Sequence, residues 1–410
     1  MIFKRLQIDK WNQFEKVDIT LNPRLTVITG ANGAGKSTLL RIFGRMIGWS
    51  YNETATPLKI KPGSGLRFRM GRKKGVVNSQ QYWGSIGSIS LIGGNEIIIN
   101  TPNNSQQVNY DISFDNHVQL KGLNIPSHRT AYSYRPIASI PVKAHTRSEA
   151  YNMFNSSIMS RSLGSHSDPP SQQMKASIIS LAIYGAGNDY VQADPEAMDL
   201  FIGFIRILRD LLPTSLGFEN LSVRGGEVIL ETKSGEFLLD SVSGGIGAIL
   251  DLAWQIYMFE ENKGEPFFVL IDEAENHLHA SMQRRLLPNL MSSFPNAQFI
   301  VTTHSPLMVN SVKESTVYAL KYNEENAVVS ELLDFENKSA NATQILREVL
   351  GVPVTMPIWV EDSLLSILEK YRGTELTPES YLKLKEDLHG VGLSGLLPQA
   401  LGWIQGEDIL

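Results

Sequence analysis

Leu25-Thr-Val-Ile-Thr-Gly30-Ala-Asn32-Gly33-Ala-Gly35-Lys36-Ser37-Thr38 is the stretch that decides how this chain is read. Leu25 to Thr29 is a short, largely apolar run of the kind that forms a buried strand, and it leads straight into Gly30. Beyond Ser37, residues Leu39, Leu40, Phe43 and Ile47 recur at helical spacing. The order is strand, glycine loop, helix. Gly30 to Ser37 fits the phosphate-loop pattern G-x-x-x-x-G-K-[ST] at every fixed position. The glycines let backbone N–H groups wrap phosphate oxygens, and the helix start adds partial positive charge. Lys36 is then expected on the β and γ oxygens and Ser37 on a Mg²⁺. Asn32, Gly33, Gly35 and Thr38 complete the candidate nucleotide-binding set. A chance glycine turn would need neither the strand before it nor the helix after it.

Three further segments fit the same chemistry. Phe267-Phe-Val-Leu-Ile271 reads as a central parallel strand and ends in Asp272-Glu273. Asp272 is the second candidate Mg²⁺ ligand, and Glu273 is placed to polarise an attacking water. Apolar runs before Asp-Glu are common in parallel sheets; beside a phosphate loop the pattern becomes specific. Val242-Ser243-Gly244-Gly245 precedes a helix and offers a second anion-binding helix start, although one nucleotide needs only one. Gln298 to Thr302 reads as another buried strand, followed by Thr303-His304-Ser305-Pro306. A lone histidine is more often structural, but at this strand end His304 is a candidate γ-phosphate contact.

This order of motifs resembles the ABC-type heads of the structural-maintenance, RecF and overcoming-lysogenisation-defect (OLD) ATPases, over about residues 1–50 and 235–320. Ile271-Asp-Glu-Ala-Glu-Asn-His-Leu-His279 and Thr302-Thr-His-Ser-Pro306 are most similar to OLD-like ATPases of bacterial anti-phage systems, including ATPase subunits of Septu, PARIS and certain retron systems. The resemblance implies an α/β fold: an ABC-type head with a mixed parallel sheet, an N-terminal antiparallel subdomain and a helical C-terminal tail. It implies ATP and Mg²⁺ as cofactors, Glu273 and His304 as catalytic residues, and a homodimer or higher oligomer. ATP on the Lys36 loop of one subunit would be capped by Ser243, Gly244 and Gly245 of another, with Glu275 to His277 on a dimer-facing loop. A separate nuclease or toxin effector is the expected partner.

The chain also departs from the pattern. The usual Gln after Ser-Gly-Gly is Ile246 here, and Gln80, Gln81, Gln106 and Gln107 are all candidates for a Mg²⁺-sensing glutamine. No coiled-coil heptads separate the first and third motifs, which argues against a long-armed DNA tether. A RecF-like DNA clamp is the alternative reading. A transporter subunit is a third, disfavoured by the tail and by Asp-Glu-Ala-Glu-Asn.

At 410 residues the chain has room for a large domain and an accessory one. We expect an ATPase domain over 1–335, with an insertion at about 50–200, and a helical docking region over 336–410. A net charge of −5 removes any whole-protein attraction for nucleic acid, so DNA contact requires a local patch. Lys61, Arg67, Arg69, Arg72, Lys73 and Lys74, between Lys61 and Lys74, form one candidate; Arg129, Arg135, Lys143 and Arg147, interleaved with Tyr132 and Tyr134, form another. A solvated loop is the commoner explanation for either. Cysteine is absent, which excludes disulfides and thiolate–metal sites. No run nears the roughly 18 apolar residues of a membrane span, and Met1 to Leu6 is mixed rather than signal-like, so a cytoplasmic protein is expected.

An N-terminal hairpin, irregular antiparallel strands over about 50–125, and a polar loop over 140–180 are expected. Helices are expected at 195–212, at about 245–260, and from about 273 to Phe294. Pro357-Ile-Trp-Val-Glu361 resembles a Toprim opening strand with its metal-binding glutamate, but no Asp-x-Asp follows, and a helical module is the preferred reading.

Overall fold

A computed structural model describes residues 2–58, 67–69, 83–102, 108–129, 131–162, 164, 168–261, 264–334, 342–350, 358–371 and 377–404. The chain divides into two compact units, Met1–Ser339 and Ala340–Leu410.

The first unit is organised by one eleven-stranded sheet among the described residues. Its strands are β1 (Phe3–Asp9), β2 (Phe14–Thr20), β3 (Leu25–Gly30), β4 (Trp83–Leu91), β5 (Glu96–Pro102), β6 (Ser113–Asp115), β7 (Gly122–Ile125), β8 (Phe267–Ile271), β9 (Ala297–Thr302), β10 (Thr316–Tyr322) and β11 (Val328–Leu332). Across the sheet they run β6-β5-β4-β1-β2-β11-β10-β3-β9-β8-β7. The segment β10-β3-β9-β8-β7 is parallel throughout. Every residue of β3, β8 and β9 is buried, which is why these strands read as apolar runs without alternation. By contrast β1 and β2 alternate, with Leu6 opposite Ile19 and Ile8 opposite Val17. The antiparallel strands expected near the N-terminus are hydrogen-bonded into this same sheet rather than forming a separate one.

Two contacts lock the halves of the sheet together. Phe3 packs its ring 4.8 Å from Phe43 and 4.7 Å from Phe268. The buried amide of Gln298 accepts from Ile2 N and Phe3 N and donates to Phe3 O and Asn22 O, each at 2.9 Å. All four of its hydrogen-bonding positions are thereby filled, as burial of an amide requires.

Helix α1 (Lys36–Arg45) follows β3. Two helices, α2 (Arg147–Ser162) and α3 (Pro170–Ala186), occupy the region expected to be a polar loop. The correction has a physical cause. In α2 only Ala150, Phe154 and Ser157 are buried, and in α3 the buried set includes Ser171, Ser177 and Ser180, so neither shows an apolar stripe in sequence. The buried hydroxyls are satisfied locally: Ser180 Oγ donates to Ser177 O at 2.9 Å, and Ser177 Oγ lies 2.9 Å from His145 Nδ1. Helix α4 (Pro195–Leu211) is capped by Asp194, which accepts from Glu196 N and Ala197 N, and Pro195 occupies its first turn. A three-stranded antiparallel sheet, Phe218–Arg224, Glu227–Thr232 and Gly235–Leu238, precedes α5 (Gly244–Phe259). Helix α6 (Ala280–Ser293) joins β8 to β9, and α7 (Pro306–Val309) follows β9.

The second unit contains α8 (Ala342–Glu348), α9 (Ile358–Tyr371), α10 (Pro378–Gly390) and α11 (Leu397–Ile404). Leu364, Ile367, Leu368, Leu384, Leu388 and Ala400 form its core. The stretch compared with a Toprim strand is helical from Ile358. Among the described residues no helix is long and apolar enough to cross a membrane.

Candidate functional site

The parallel strands bring three of the four motifs to one sheet edge. At the end of β3, Gly30, Gly33 and Gly35 all adopt positive φ, at 141°, 78° and 94°. Only glycine is at ease there, and a Cβ on Gly35 would also run into the Phe14 ring. Gly35 caps α1 without a side-chain acceptor, so no side chain competes for the first-turn amides. Asn32 and Gly33 are exposed and Ser37 and Thr38 half-buried, while Lys36 is buried. Lys36 Nζ donates to Gly30 O at 3.0 Å and Ala31 O at 3.1 Å, and lies 3.4 Å from His304 Nδ1. Burial pulls its ammonium below the ordinary lysine range, opposed by the charges of Glu273, Glu275 and Asp272.

From β8 and β9 come the acidic groups and their supports. Ser37 Oγ donates to Asp272 Oδ1 at 3.0 Å, across 235 residues of chain, and Thr302 Oγ1 donates to the same oxygen at 2.5 Å. A hydroxyl and a carboxylate facing each other beside a phosphate loop form an oxygen donor set that fits Mg²⁺, whose remaining sites are filled by phosphate and water. Among the described residues no cluster of three or more His, Cys, Asp or Glu side chains could hold a metal.

Glu273 adopts φ 46°, in the left-handed region. Its backbone N donates to Thr302 Oγ1 at 2.9 Å, and its Oε2 accepts from Asn276 Nδ2 at 2.7 Å. His304 stands at the end of β9, half-buried. Burial first, and the Lys36 charge second, hold its imidazole below the ordinary histidine range. With Lys36 as donor at Nδ1, the ring proton sits on Nε2, free to donate to a phosphate oxygen.

Glu275 to His277 were expected on a dimer-facing loop; within the chain the Glu275 carboxylate accepts from Thr303 Oγ1 at 2.7 Å and His304 N at 2.5 Å. It orders the His304 turn. His277 is exposed and has φ 68°. Ser243 and Gly244 are exposed at the start of α5, where Ser243 Oγ accepts from Ile246 N at 3.5 Å. A side-chain carbon at Gly244 would meet His277, and one at Gly245 would meet His277 and Met282, so the Ser243 turn lies against the loop after Glu273. The structure thus joins Lys36, Ser37, Asp272, Glu273 and His304.

Sequence reasoning missed Thr302, Asn276 and Arg129. Arg129 had been grouped with a basic surface, but it is 8% exposed and donates from Nη1 to Asn276 O at 2.9 Å. The rest of that cluster is likewise engaged: Arg147 bonds Tyr257 O and lies 4.3 Å from that ring's centroid, Lys143 pairs with Glu149, and Arg135 with Asp168. Tyr132 OH donates to Asp251 Oδ1 at 2.8 Å, and Tyr134 lies under Lys175. Of that group Arg129 is buried, while Arg135 and Lys143 remain exposed in surface ion pairs. Gln80, Gln81, Gln106 and Gln107, with most of Lys61 to Lys74, lie outside the described residues.

The comparisons agree with this geometry. The family described as "AAA domain, putative AbiEii toxin, Type IV TA system" matches residues 128–310, and one described as "AAA domain" matches residues 5–147. Septu protein PtuA of Bacillus thuringiensis is 22% identical over 416 residues, covering 95% of this chain and 94% of that protein. Retron Ec83 probable ATPase of Escherichia coli is 27% identical over 167 residues, 38% of this chain, and the match spans only 29% of that relative. The OLD nuclease of Thermus scotoductus is 24% identical over 363 residues, 83% of this chain and 66% of that protein. Among solved structures, an SMC head bound to the C-winged helix domain of ScpA covers 82% of this chain and 98% of that one, with a TM-score of 0.45 and 15% identity. The phosphate loop and the strand-end Asp272-Glu273 pair are those of an ATPase, and the chain is similar to OLD-like and defence-system ATPases.

Proposed function

We propose that this protein is the ATP-binding and hydrolysing regulator of an anti-phage defence complex, with ATP held between two copies of the chain and a separate nuclease or toxin as effector. The defence role is carried over from the Septu and retron relatives. The mechanism is argued from this chain's residues. The Lys36 loop binds the triphosphate, with Lys36 leaving its loop carbonyls for the β and γ oxygens. Ser37 and Asp272 would hold Mg²⁺, which would supply neutralisation of the charge on the phosphates. Glu273 orients and deprotonates the attacking water, and His304 donates from Nε2 to the γ-phosphate.

The observation that carries the shared site is the exposed Ser243 helix start. It offers amides to an anion, and the turn packs against His277 and Met282 of the segment after Glu273. A second copy related by a two-fold axis would bring it to the first copy's γ-phosphate, closing two equal sites. Hydrolysis would then loosen the pair, by as much as ATP prefers the closed assembly. The helical unit Ala340–Leu410 is the proposed effector dock, and Lys61 to Lys74 remains the proposed DNA contact.

The test is complementation. Lys36→Ala and Ser243→Arg should each abolish turnover alone. Mixed, half the dimers carry one intact composite site of two, so about a quarter of the parental activity should return. Two inactive variants that stay inactive when mixed and shown to co-assemble would refute the shared site.

A further inference from the structure

The loop that leaves β7, Pro126 to Arg129, grips the turn after Glu273 at two points. Asn276 Nδ2 donates to Ser127 O at 3.1 Å as well as to Glu273 Oε2 at 2.7 Å, and Arg129 Nη1 donates to Asn276 O at 2.9 Å. The orientation of the Asn276 amide is therefore determined. Flipped, its oxygen would face a carbonyl and a carboxylate, neither of which has a proton to give. The main chain closes the same turn, with Asn276 N donating to Glu273 O at 3.0 Å. Glu273 sits at a positive φ that a glutamate does not choose unaided, so its surroundings must hold it there. Arg129 is nearly fully buried, an expensive place for a guanidinium; Nη1 donates to this turn, while Nε and Nη2 have no hydrogen-bond partner among the described residues.

We propose that Asn276 is a positioning residue for Glu273, and that Arg129 acts on Glu273 through Asn276. This rests on reading Glu273 as the residue that activates water. Asn276 occupies Oε2 and fixes the plane of the carboxylate, leaving Oε1 to accept from the attacking water. Arg129 anchors the carbonyl of Asn276 and so sets how far its amide reaches. The β7 loop and the Glu273 turn consequently move as one piece, and a displacement of Pro126 to Arg129 reaches Glu273 through two hydrogen bonds.

The experiment uses the full chain, with turnover measured at saturating ATP and affinity measured separately with a fluorescent ATP analogue. Asn276→Ala should lower kcat about tenfold or more while the affinity stays within about threefold, the split expected when orientation rather than binding is lost. Arg129→Met should lower kcat by less, and Arg129→Lys, which keeps one donor, should recover part of the loss. The double variant Asn276→Ala/Arg129→Met should be no slower than Asn276→Ala alone, because the second change acts through a group already gone. Parental kcat in Asn276→Ala, or losses that multiply in the double variant, would overturn the proposal. Asn276 lies on a partly exposed turn, so its variant remains informative if replacing Arg129 impairs folding. Glu273→Gln separates the two ideas. Parental turnover in Glu273→Gln would remove the underlying reading, whereas an inactive Glu273→Gln beside a fully active Asn276→Ala would remove the positioning role alone.

Discussion

The hydroxyls of Ser37 and Thr302 share one acceptor, Asp272 Oδ1, at 3.0 and 2.5 Å. The first comes from the start of α1 and the second from the last residue of β9, so the carboxylate just beyond β8 is held by a helix start and by the neighbouring strand. With Ser37 Oγ and Asp272 as Mg²⁺ ligands, Thr302 is the group that aims Asp272. Its hydroxyl also accepts from Glu273 N at 2.9 Å, which ties the proposed metal ligand to the proposed water-activating residue.

A first prediction follows from that arrangement. Thr302→Val keeps the shape of a fully buried side chain but removes the donor. Outer-shell losses of this kind typically cost about 10–100-fold in metal affinity. The Mg²⁺ concentration giving half-maximal turnover should rise by about tenfold, and Asp272→Asn should need far more. An unchanged Mg²⁺ titration for Thr302→Val would show that its hydroxyl serves packing alone.

How much of this was legible in sequence depends on where each signal lives. The phosphate loop, β3, β8 and β9 were readable because a strand buried on both faces must be apolar and a phosphate cradle fixes its glycines and lysine at set spacings. Helices α2 and α3 were not, since their buried serines carry no apolar period. Charge patterning placed Arg129 on a surface because a basic run does not report which of its members is buried. The Asn276–Ser127 contact spans 149 residues of chain, and no spacing rule announces it. Glu275 is similar: its loop position was visible, its bonds to Thr303 and His304 were not.

A second prediction concerns pH. Asp251, on α5, is 8% exposed, and its Oδ1 accepts from Tyr132 OH. Burial pushes its carboxyl up from 3.8 to about 7, with the Tyr132 bond and the Arg129 charge pulling the other way. Because the folded value lies above the unfolded one, the folded chain keeps a proton that the unfolded chain has lost. The stability contributed by that proton is complete below 3.8 and is lost as pH rises toward about 7. Asp251→Asn keeps the shape and never ionises. Its melting temperature should therefore gain on that of the parent steadily as pH rises through this window, then hold a constant lead above it. A parallel pair of melting curves across the window would mean that Asp251 titrates as an ordinary carboxylate.

A third prediction tests the support beneath the Ser243 turn. Lys175, on α3, is 1% exposed; its ammonium donates to Asp240 Oδ2 at 2.6 Å and Arg135 O at 3.0 Å, and it pairs with Glu227. Asp240 is itself buried, in the 3₁₀ turn Leu239–Ser241 that leads into Ser243. Breaking a buried pair by removing one partner costs about 3–5 kcal/mol, because the remaining charge is stranded. Lys175→Met fills the volume without the charge, and the denaturant midpoint of the first unit should fall accordingly. Adding Asp240→Asn removes the stranded carboxylate and should restore part of the loss, a coupling that independent sites would not show. Full stability in Lys175→Met would mean that the lysine's charge contributes nothing there. Additive losses in the double variant would mean that Asp240 is not the group it neutralises.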